Sequence, residues 1–154
     1  MKILRIALAV ALFVCIGNIG FAAETDSALE QEIKDFVQKY TEAFQAKDLD
    51  AIMAMYAEDA VLLGTGPGER FVGMEEIKGA YIEYFKAFDK EEATLTWYKA
   101  GSHGDVVWAS GMSHVNTYMK NQKREFALNW SLVLVKLDGT WKFAQRHISN
   151  ISCE

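Results

Sequence analysis

The sequence predicts an α+β fold in which a curved antiparallel sheet wraps over three helices from the N-terminal half of the chain. Apolar residues recur at helical spacing in three stretches before residue 90, and they alternate with a period of two after it. The longest alternating stretch, Arg124 to Ser149, is interrupted by Asp138-Gly139, a dipeptide typical of a two-residue hairpin turn. These observations predict helices first and an antiparallel hairpin last.

The first residues have the pattern of a secretory signal peptide. Lys2 and Arg5 precede an apolar run from Ile6 to Ile19, and Gly20-Phe21-Ala22 is a small-x-small cleavage site. An uncleaved membrane anchor is the alternative, but the run is short for a membrane span. We therefore expect a signal peptide at residues 1–22 and one domain at residues 23–154. That domain would be periplasmic or secreted, with no membrane association after cleavage.

The charge balance argues against binding to nucleic acid, and the cysteine count argues against an intrachain disulfide. The chain of 154 residues has 16 basic against 21 acidic side chains, and removal of the signal peptide makes it more acidic. An acidic chain without a stripe of basic residues is expected to bind nucleic acid poorly. Cys153 would be the single cysteine of the mature chain, so no intrachain disulfide is expected and stability must come from the core.

Three helices are predicted from apolar residues that share one face. The first runs from Ser27 to about Ala46 and includes Tyr40 on its apolar face. Asp48 is placed to cap a short second helix, with Tyr56 among its inward residues. The third runs from Met74 to about Phe88.

The remaining segments are predicted strands joined by turns. Gly64 to Gly68 is glycine-rich but lacks the lysine and the strand-loop-helix setting of a phosphate loop, so it is interpreted as a hairpin loop or pocket rim. The predicted strands are Ala60–Leu63, Arg70–Val72, Thr94–Lys99, Val106–Met119 and the two arms of the Arg124–Ser149 hairpin.

The hairpin also carries a family resemblance. The segment Leu137-Asp138-Gly139-Thr140-Trp141-Lys142-Phe143, continuing to His147 and Ser149, resembles the closing hairpin of SnoaL-like domains in the nuclear transport factor 2-like superfamily. Stretches at 43–52, 56–61 and 71–77 follow in the order that family shows. The resemblance implies a cone-like barrel that encloses a pocket open at one end. It does not imply one chemistry, because the superfamily holds isomerases, cyclases, dehydratases, binding proteins and assembly domains.

The predicted strand Val106–Met119 supplies the first candidate site residues. Alternation places Trp108, Met112 and His114 on one face, and we expect them to line the pocket with Trp130 and Leu132. His114 could then carry a proton or donate a hydrogen bond. The alternatives are a histidine satisfied by a backbone carbonyl and one that lies in a subunit interface. His103 falls in a predicted turn and is expected to be exposed.

Arg146 and His147 compete for the pocket because adjacent strand residues point to opposite faces. Periodicity favours His147, which has the parity of Trp141 and Phe143. The resemblance favours Arg146, because pocket arginines of the related association domain of calcium/calmodulin-dependent protein kinase II match Leu132 and Ile148 here. Both residues remain ligand-binding candidates, the simpler interpretation being a core His147 and a solvated Arg146.

Catalysis of the ketosteroid isomerase type requires a pocket carboxylate as base and a hydrogen-bond donor for the oxyanion. Tyr40, Tyr56 and His114 are the candidate catalytic residues, with Tyr40 and Tyr56 as donors. No carboxylate is evident on an inward face, since Asp48, Glu58 and Asp59 are interpreted as helix-end residues. The three histidines lack the spacing of metal ligands, so neither a metal nor another cofactor is expected.

Three functional hypotheses follow. The leading one is an exported, homodimeric SnoaL-like domain that binds a small, largely apolar ligand between sheet and helices. The second is an isomerase-, cyclase- or dehydratase-type enzyme, and the third is a dimeric assembly module with a vestigial pocket. The dimer is expected on the outer face of the sheet, where Ala127, Ser131, Val133 and Val135 would otherwise leave an apolar patch in water.

Overall fold

The computed structural model describes residues 27–120 and 122–151. The predicted signal peptide and Cys153 lie outside the described residues. No helix in the described part is both long and apolar enough to cross a membrane.

The predicted α+β fold is confirmed. Its elements are α1 (Ser27–Gln45), α2 (Leu49–Ala54), β1 (Tyr56–Leu63), β2 (Arg70–Val72), α3 (Gly73–Ala87), β3 (Lys90–His103), β4 (Val106–Met119), β5 (Gln122–Leu137) and β6 (Thr140–Asn150). The Asp48 carboxylate caps α2 by accepting from the Ala51 N–H at 3.0 Å. Asp138 and Gly139 have φ angles of 49° and 77°, as a hairpin turn of the predicted type requires.

The strands form one mixed sheet in the order β2-β1-β6-β5-β4-β3. All neighbours are antiparallel except β1 and β6, which are parallel, and the sheet is curved and not closed. The expectation of a fully antiparallel sheet is therefore wrong at this pair. A parallel pair needs a long connection, and β2, α3 and three further strands lie between β1 and β6 in the chain.

Helices α1 and α3 pack on one side of the sheet, here called the inner face, which carries Leu62, Val107, Ala109, Leu132 and Leu134. Phe143 is central to this core and only 2% exposed. Its ring centroid lies 4.9 Å from that of Phe36, 5.3 Å from that of Tyr40 and 5.0 Å from that of Tyr56. One aromatic residue of β6 thus joins α1 to β1.

Two side chains fix the position of α1. Near its start, the Glu32 carboxylate accepts from Lys136 Nζ and from Trp141 Nε1, each at 2.7 Å, which ties the helix to the β5–β6 hairpin. Just after its end, Lys47 donates to the backbone carbonyls of Phe85 and Phe88, which closes the C-terminus of α3. Both helices that face the sheet are held at defined positions.

Two strands begin earlier than predicted. β1 starts at Tyr56 rather than Ala60, so Tyr56 is a strand residue and not part of α2. β3 starts at Lys90 rather than Thr94. Each missed portion contains charged residues, Glu58 and Asp59 in β1 and Lys90 to Glu92 in β3, which hid the strand pattern in the sequence.

Candidate functional site

The face assignment of β4 determines which predicted site residues lie together. Val107 and Ala109 are 2% and 6% exposed, whereas Trp108 is 49% exposed. Met112 and His114 share the face of Trp108, the outer face, and both are exposed. The prediction that these three residues share a face with Trp130 and Leu132 is wrong. Leu132 is paired with Ala109 and Trp130 with Gly111, and paired residues point to the same side.

The indole of Trp130 explains why small residues of β4 face inward. A Cβ at Gly111 would overlap the Trp130 ring and lie 2.5 Å from the Trp97 carbonyl oxygen. Trp130 Nε1 donates to Ser113 Oγ at 3.1 Å, which fixes the ring orientation. The large side chain at this point of the inner face is therefore Trp130 of β5, and Gly111 of β4 provides the space that its ring occupies.

A β-bulge decides between Arg146 and His147. Leu134 pairs with Phe143 but Val133 pairs with Gln145, so Ala144 is an extra residue on β6. One extra residue exchanges the faces of everything that follows it. Arg146 is consequently paired with inner Leu132, whereas His147 is paired with outer Ser131. The expectation from periodicity for His147 is wrong, and the alternative placement of Arg146 is correct.

Arg146 meets three tyrosines on the inner face, and these four residues are here called the tyrosine–arginine cluster. Arg146 Nη1 donates to Tyr81 Oη at 3.1 Å, and its guanidinium lies 4.6 Å from the Tyr40 ring centroid. The Tyr81 hydroxyl lies 2.9 Å from that of Tyr40 and 2.8 Å from that of Tyr56. The cluster draws on α1, β1, α3 and β6, so it forms only when the whole domain is folded.

Counting hydrogens shows that the cluster has a donor to spare. Three hydroxyl groups carry three hydrogens, and the two contacts between hydroxyls use one hydrogen each. Arg146 occupies one lone pair of Tyr81, so Tyr81 cannot accept from both of its tyrosine neighbours as well. One hydroxyl hydrogen is therefore not used in the contacts among the three tyrosines.

The charge states of the four side chains leave each of them able to donate hydrogen bonds. Burial raises the pKa of Tyr40, Tyr56 and Tyr81, while the positive charge of Arg146 opposes the rise, so all three phenols are neutral at physiological pH. The guanidinium remains charged and is only partly exposed. Within the described part of the chain, Arg146 forms no ion pair.

A carboxylate also faces this region, contrary to the expectation that none does. Glu91 is half-buried on β3, and the curved sheet brings it close enough to Arg146 for the two charges to interact, although two strands lie between. Burial raises the pKa of Glu91, and the charge of Arg146 opposes that rise. The predicted strand begins at Thr94, so Glu91 lies outside it and is not among the candidate residues, whereas β3 begins at Lys90.

The structure thus brings Tyr40, Tyr56, Leu132 and Arg146 together, with Trp130 one inner position further along β5. It places Trp108, Met112, His114 and His147 on the outer face, and His103 is exposed at the end of β3. Tyr81 falls within the predicted third helix, among apolar residues at helical spacing. Its role as the hub of three hydroxyl contacts had no signal in the sequence.

Comparison with known proteins gives a family and a fold. A family model described as a SnoaL-like domain matches residues 33–153. A search of curated proteins gives no match. The similar solved structures include a nuclear transport factor 2-like protein of unknown function from Pseudomonas putida, with 17% identity and a TM-score of 0.72 over 80% of this chain and 87% of that one.

Two other solved structures are similar over nearly the whole domain. A candidate calcium/calmodulin-dependent protein kinase II association domain from Xanthomonas campestris is 20% identical, with a TM-score of 0.72 over 82% of this chain and 89% of that one. A ketosteroid isomerase-like protein from Erwinia carotovora is 22% identical, with a TM-score of 0.66 over 80% of this chain and 96% of that one. At these identities the likeness concerns the fold alone.

Proposed function

Because the chain belongs to the SnoaL-like domain family, we propose that it binds a small molecule on the inner face of the sheet. In this proposal the ligand has a largely apolar body and one hydrogen-bond acceptor, a carboxylate or carbonyl oxygen. That acceptor sits at the tyrosine–arginine cluster. The observation that carries the proposal is Arg146, a cation on the inner face that is bonded only to neutral partners in the described residues.

The acceptor is inferred from the donors available. Arg146 uses one N–H toward Tyr81, and a guanidinium has five, arranged to hold a planar carboxylate. The spare hydroxyl hydrogen of the tyrosines adds a neutral donor beside it. A charged donor and a neutral donor together favour an oxygen with negative charge or a strong dipole.

The apolar body is inferred from the inner face beyond the cluster. Trp130, Leu128 and Ile148 line this face on β5 and β6. Toward its open end Leu95, Tyr98 and Phe126 are 52%, 47% and 37% exposed. An apolar surface next to a few fixed polar groups is the usual composition of a small-molecule site.

Native mass spectrometry of the protein purified from its own source tests the proposal. We expect a mass excess of one small molecule per chain, which is released under denaturing conditions. The released molecule should carry a carboxylate or carbonyl group. A preparation without any bound small molecule, together with no binding of straight-chain carboxylates, would favour an assembly module with a vestigial pocket.

Glu91 favours an enzyme as the second candidate function. A half-buried carboxylate with a raised pKa can act as a general base, and neutral tyrosines with Arg146 can stabilise an oxyanion. This combination supports an isomerase- or dehydratase-type reaction, in line with the ketosteroid isomerase-like neighbour. Turnover of the released molecule by the wild type, and its loss in Glu91→Gln, would identify an enzyme.

We further propose export, on the signal-peptide pattern of the first 22 residues. The mature protein is expected to begin at Ala23 or Glu24 in a periplasmic or secreted fraction. N-terminal sequencing of the fractionated protein checks this. An intact Met1 in the membrane fraction would contradict it.

A homodimer through the outer face is part of the same proposal. Val133 and Val135 lie opposite Trp108 and Val106, and the exposed Trp97 and Met112 extend this apolar surface. A patch of this kind on a sheet face is typical of an interface between subunits.

If the outer face forms the dimer, a charge added to that face should separate the subunits, whereas a charge added to the inner face should not. Trp108→Glu places a carboxylate in the middle of the outer face, so we expect a monomeric mass by light scattering at micromolar concentration. Phe126→Glu is the matched control, because Phe126 is also partly exposed but lies on the inner face. It should remain dimeric. A monomeric wild type would remove the proposal.

A further inference from the structure

Two aromatic side chains of the inner face lie on either side of a glycine. Gly111 of β4 is paired with Tyr98 of β3 and with Trp130 of β5, so both rings are on the inner face. A Cβ atom at Gly111 would overlap the Cζ2 and Cε2 atoms of Trp130, so the indole extends over the glycine toward β3. Tyr98 and Trp130 therefore form an aromatic surface across three strands, here called the aromatic floor.

Strand register places the aromatic floor beside Arg146. Arg146 is paired with Leu132, and Trp130, two residues before Leu132 on β5, is paired with Ile148. Arg146 and Trp130 are therefore diagonal neighbours on the inner face, with Cα atoms about 7–8 Å apart. Long and aromatic side chains reach across such a distance, so one small molecule can contact both residues.

The protein covers the two rings of the floor to different extents. Trp130 is partly buried, and its Nε1 donates to Ser113 Oγ at 3.1 Å. Tyr98 is 47% exposed, and in the described part of the chain its hydroxyl makes no hydrogen bond and its ring contacts no other aromatic ring. Leu95, at the next inner position of β3, is 52% exposed. The floor is thus held in place at β5 and uncovered at β3.

An uncovered aromatic ring beside a fixed one favours a ring over a chain as the apolar body of the ligand. Aromatic rings attract each other through stacked and edge-to-face contacts in addition to the area that they bury, whereas a saturated group gains only from the buried area. Gly111 has no side chain that would keep a flat ring away from the floor.

We infer that the ligand carries an aromatic ring that lies on Tyr98 and Trp130, and a carboxylate or carbonyl group that reaches Arg146. This inference rests on the proposed ligand site at Arg146 and adds the chemical class of the apolar body, an aryl group. The short distance between the floor and Arg146 requires that the two groups of the ligand are joined directly or by a short spacer.

Two acids that differ only in their ring test the inference by calorimetry on the full chain. Phenylpropanoate has a flat aromatic ring, and cyclohexylpropanoate has a saturated ring with the same number of carbon atoms. The saturated ring is the more hydrophobic, so the hydrophobic effect alone favours the cyclohexyl acid. We expect the phenyl acid to bind about threefold to tenfold more tightly. Hexanoate, which has no ring, is the probe of Arg146 itself.

Variants of Tyr98 identify the floor as the origin of the preference. Tyr98→Leu removes the ring from a half-exposed position, so the fold should be kept. The preference should then disappear or reverse while cyclohexylpropanoate binds nearly as before. Tyr98→Phe keeps the ring and should keep the preference. Trp97→Leu is the matched control, because Trp97 is the adjacent residue, is 54% exposed and lies on the outer face.

The outcomes distinguish an aromatic ligand from the Arg146 site itself. Equal affinity for the two ring acids in the wild type, or tighter binding of the cyclohexyl acid, overturns the aromatic ligand and leaves the Arg146 site standing. The same conclusion follows if the preference survives in Tyr98→Leu, if Trp97→Leu loses it equally, or if hexanoate binds and neither ring acid does. If none of the three acids binds, the inference and the proposed site are overturned together.

Discussion

Replacing Phe143 with alanine is expected to lower the free energy of unfolding by about 3 to 5 kcal/mol. The ring is 2% exposed and touches Phe36, Tyr40 and Tyr56, which belong to α1 and β1. Its removal leaves a cavity that these rings cannot fill without moving, and the lost edge contacts add to the lost burial. Urea unfolding followed by tryptophan fluorescence gives the value.

Phe126→Ala is the matched control, since it removes the same atoms from a side chain that is 37% exposed. A loss of about 1 kcal/mol or less is expected there. Phe143→Ala should also weaken ligand binding, because Phe143 supports two tyrosines of the cluster. A loss below about 1 kcal/mol for Phe143→Ala would show that β6 does not join α1 to β1 in the way described.

The fold could be predicted because the helices and the last hairpin follow regular periods. The tyrosines of α1 and α3 lie on apolar stripes, and Asp138-Gly139 allows one short turn. In each case the local pattern and the tertiary environment agree. The family resemblance added the curvature, which no single strand pattern encodes.

The site was harder to predict because two assumptions about strands failed. Ala144 is an extra residue, so counting alternate positions from Phe143 reaches His147 instead of Arg146. On β4 the alternation predicts that the large Trp108 points inward, although the inner space is filled from β5 by Trp130. Both the β-bulge and the identity of the strand that contributes the large inward side chain depend on how neighbouring strands pair. Neither is visible in one strand alone.

The position of Arg146 is the main support for the proposed function, because placing a charge on the inner face of the sheet costs free energy. Neutral tyrosines solvate the guanidinium only in part, and Glu91 interacts with it without forming an ion pair. If stability alone mattered, an apolar side chain of similar volume would serve as well or better. This cost is the reason that we propose a ligand at Arg146.

Arg146→Met is expected to weaken the binding of hexanoate by about 30-fold to 1,000-fold, which corresponds to about 2 to 4 kcal/mol. Methionine fills much of the same volume but provides no donor, so the free energy of unfolding should stay the same or rise. Arg146→Lys keeps the charge and loses the planar pair of donors, so an intermediate affinity is expected. Calorimetry for binding and urea unfolding for stability give both quantities. A strong loss of stability in Arg146→Met with unchanged affinity would assign the arginine to the core instead.

The affinity for hexanoate should also depend on pH through Glu91. Burial raises the pKa of this carboxyl group, so it takes up a proton at a higher pH than an exposed glutamate does. As the pH falls through that pKa, the negative charge beside the site disappears and Arg146 attracts an anion more strongly. Affinity should therefore rise as the pH falls, down to about pH 5, where hexanoate itself begins to take up a proton. Glu91→Gln removes the titrating group and should bind hexanoate tightly with little pH dependence over the same range. Affinity that falls with decreasing pH in the wild type would show that the anion is not held beside Arg146 and Glu91.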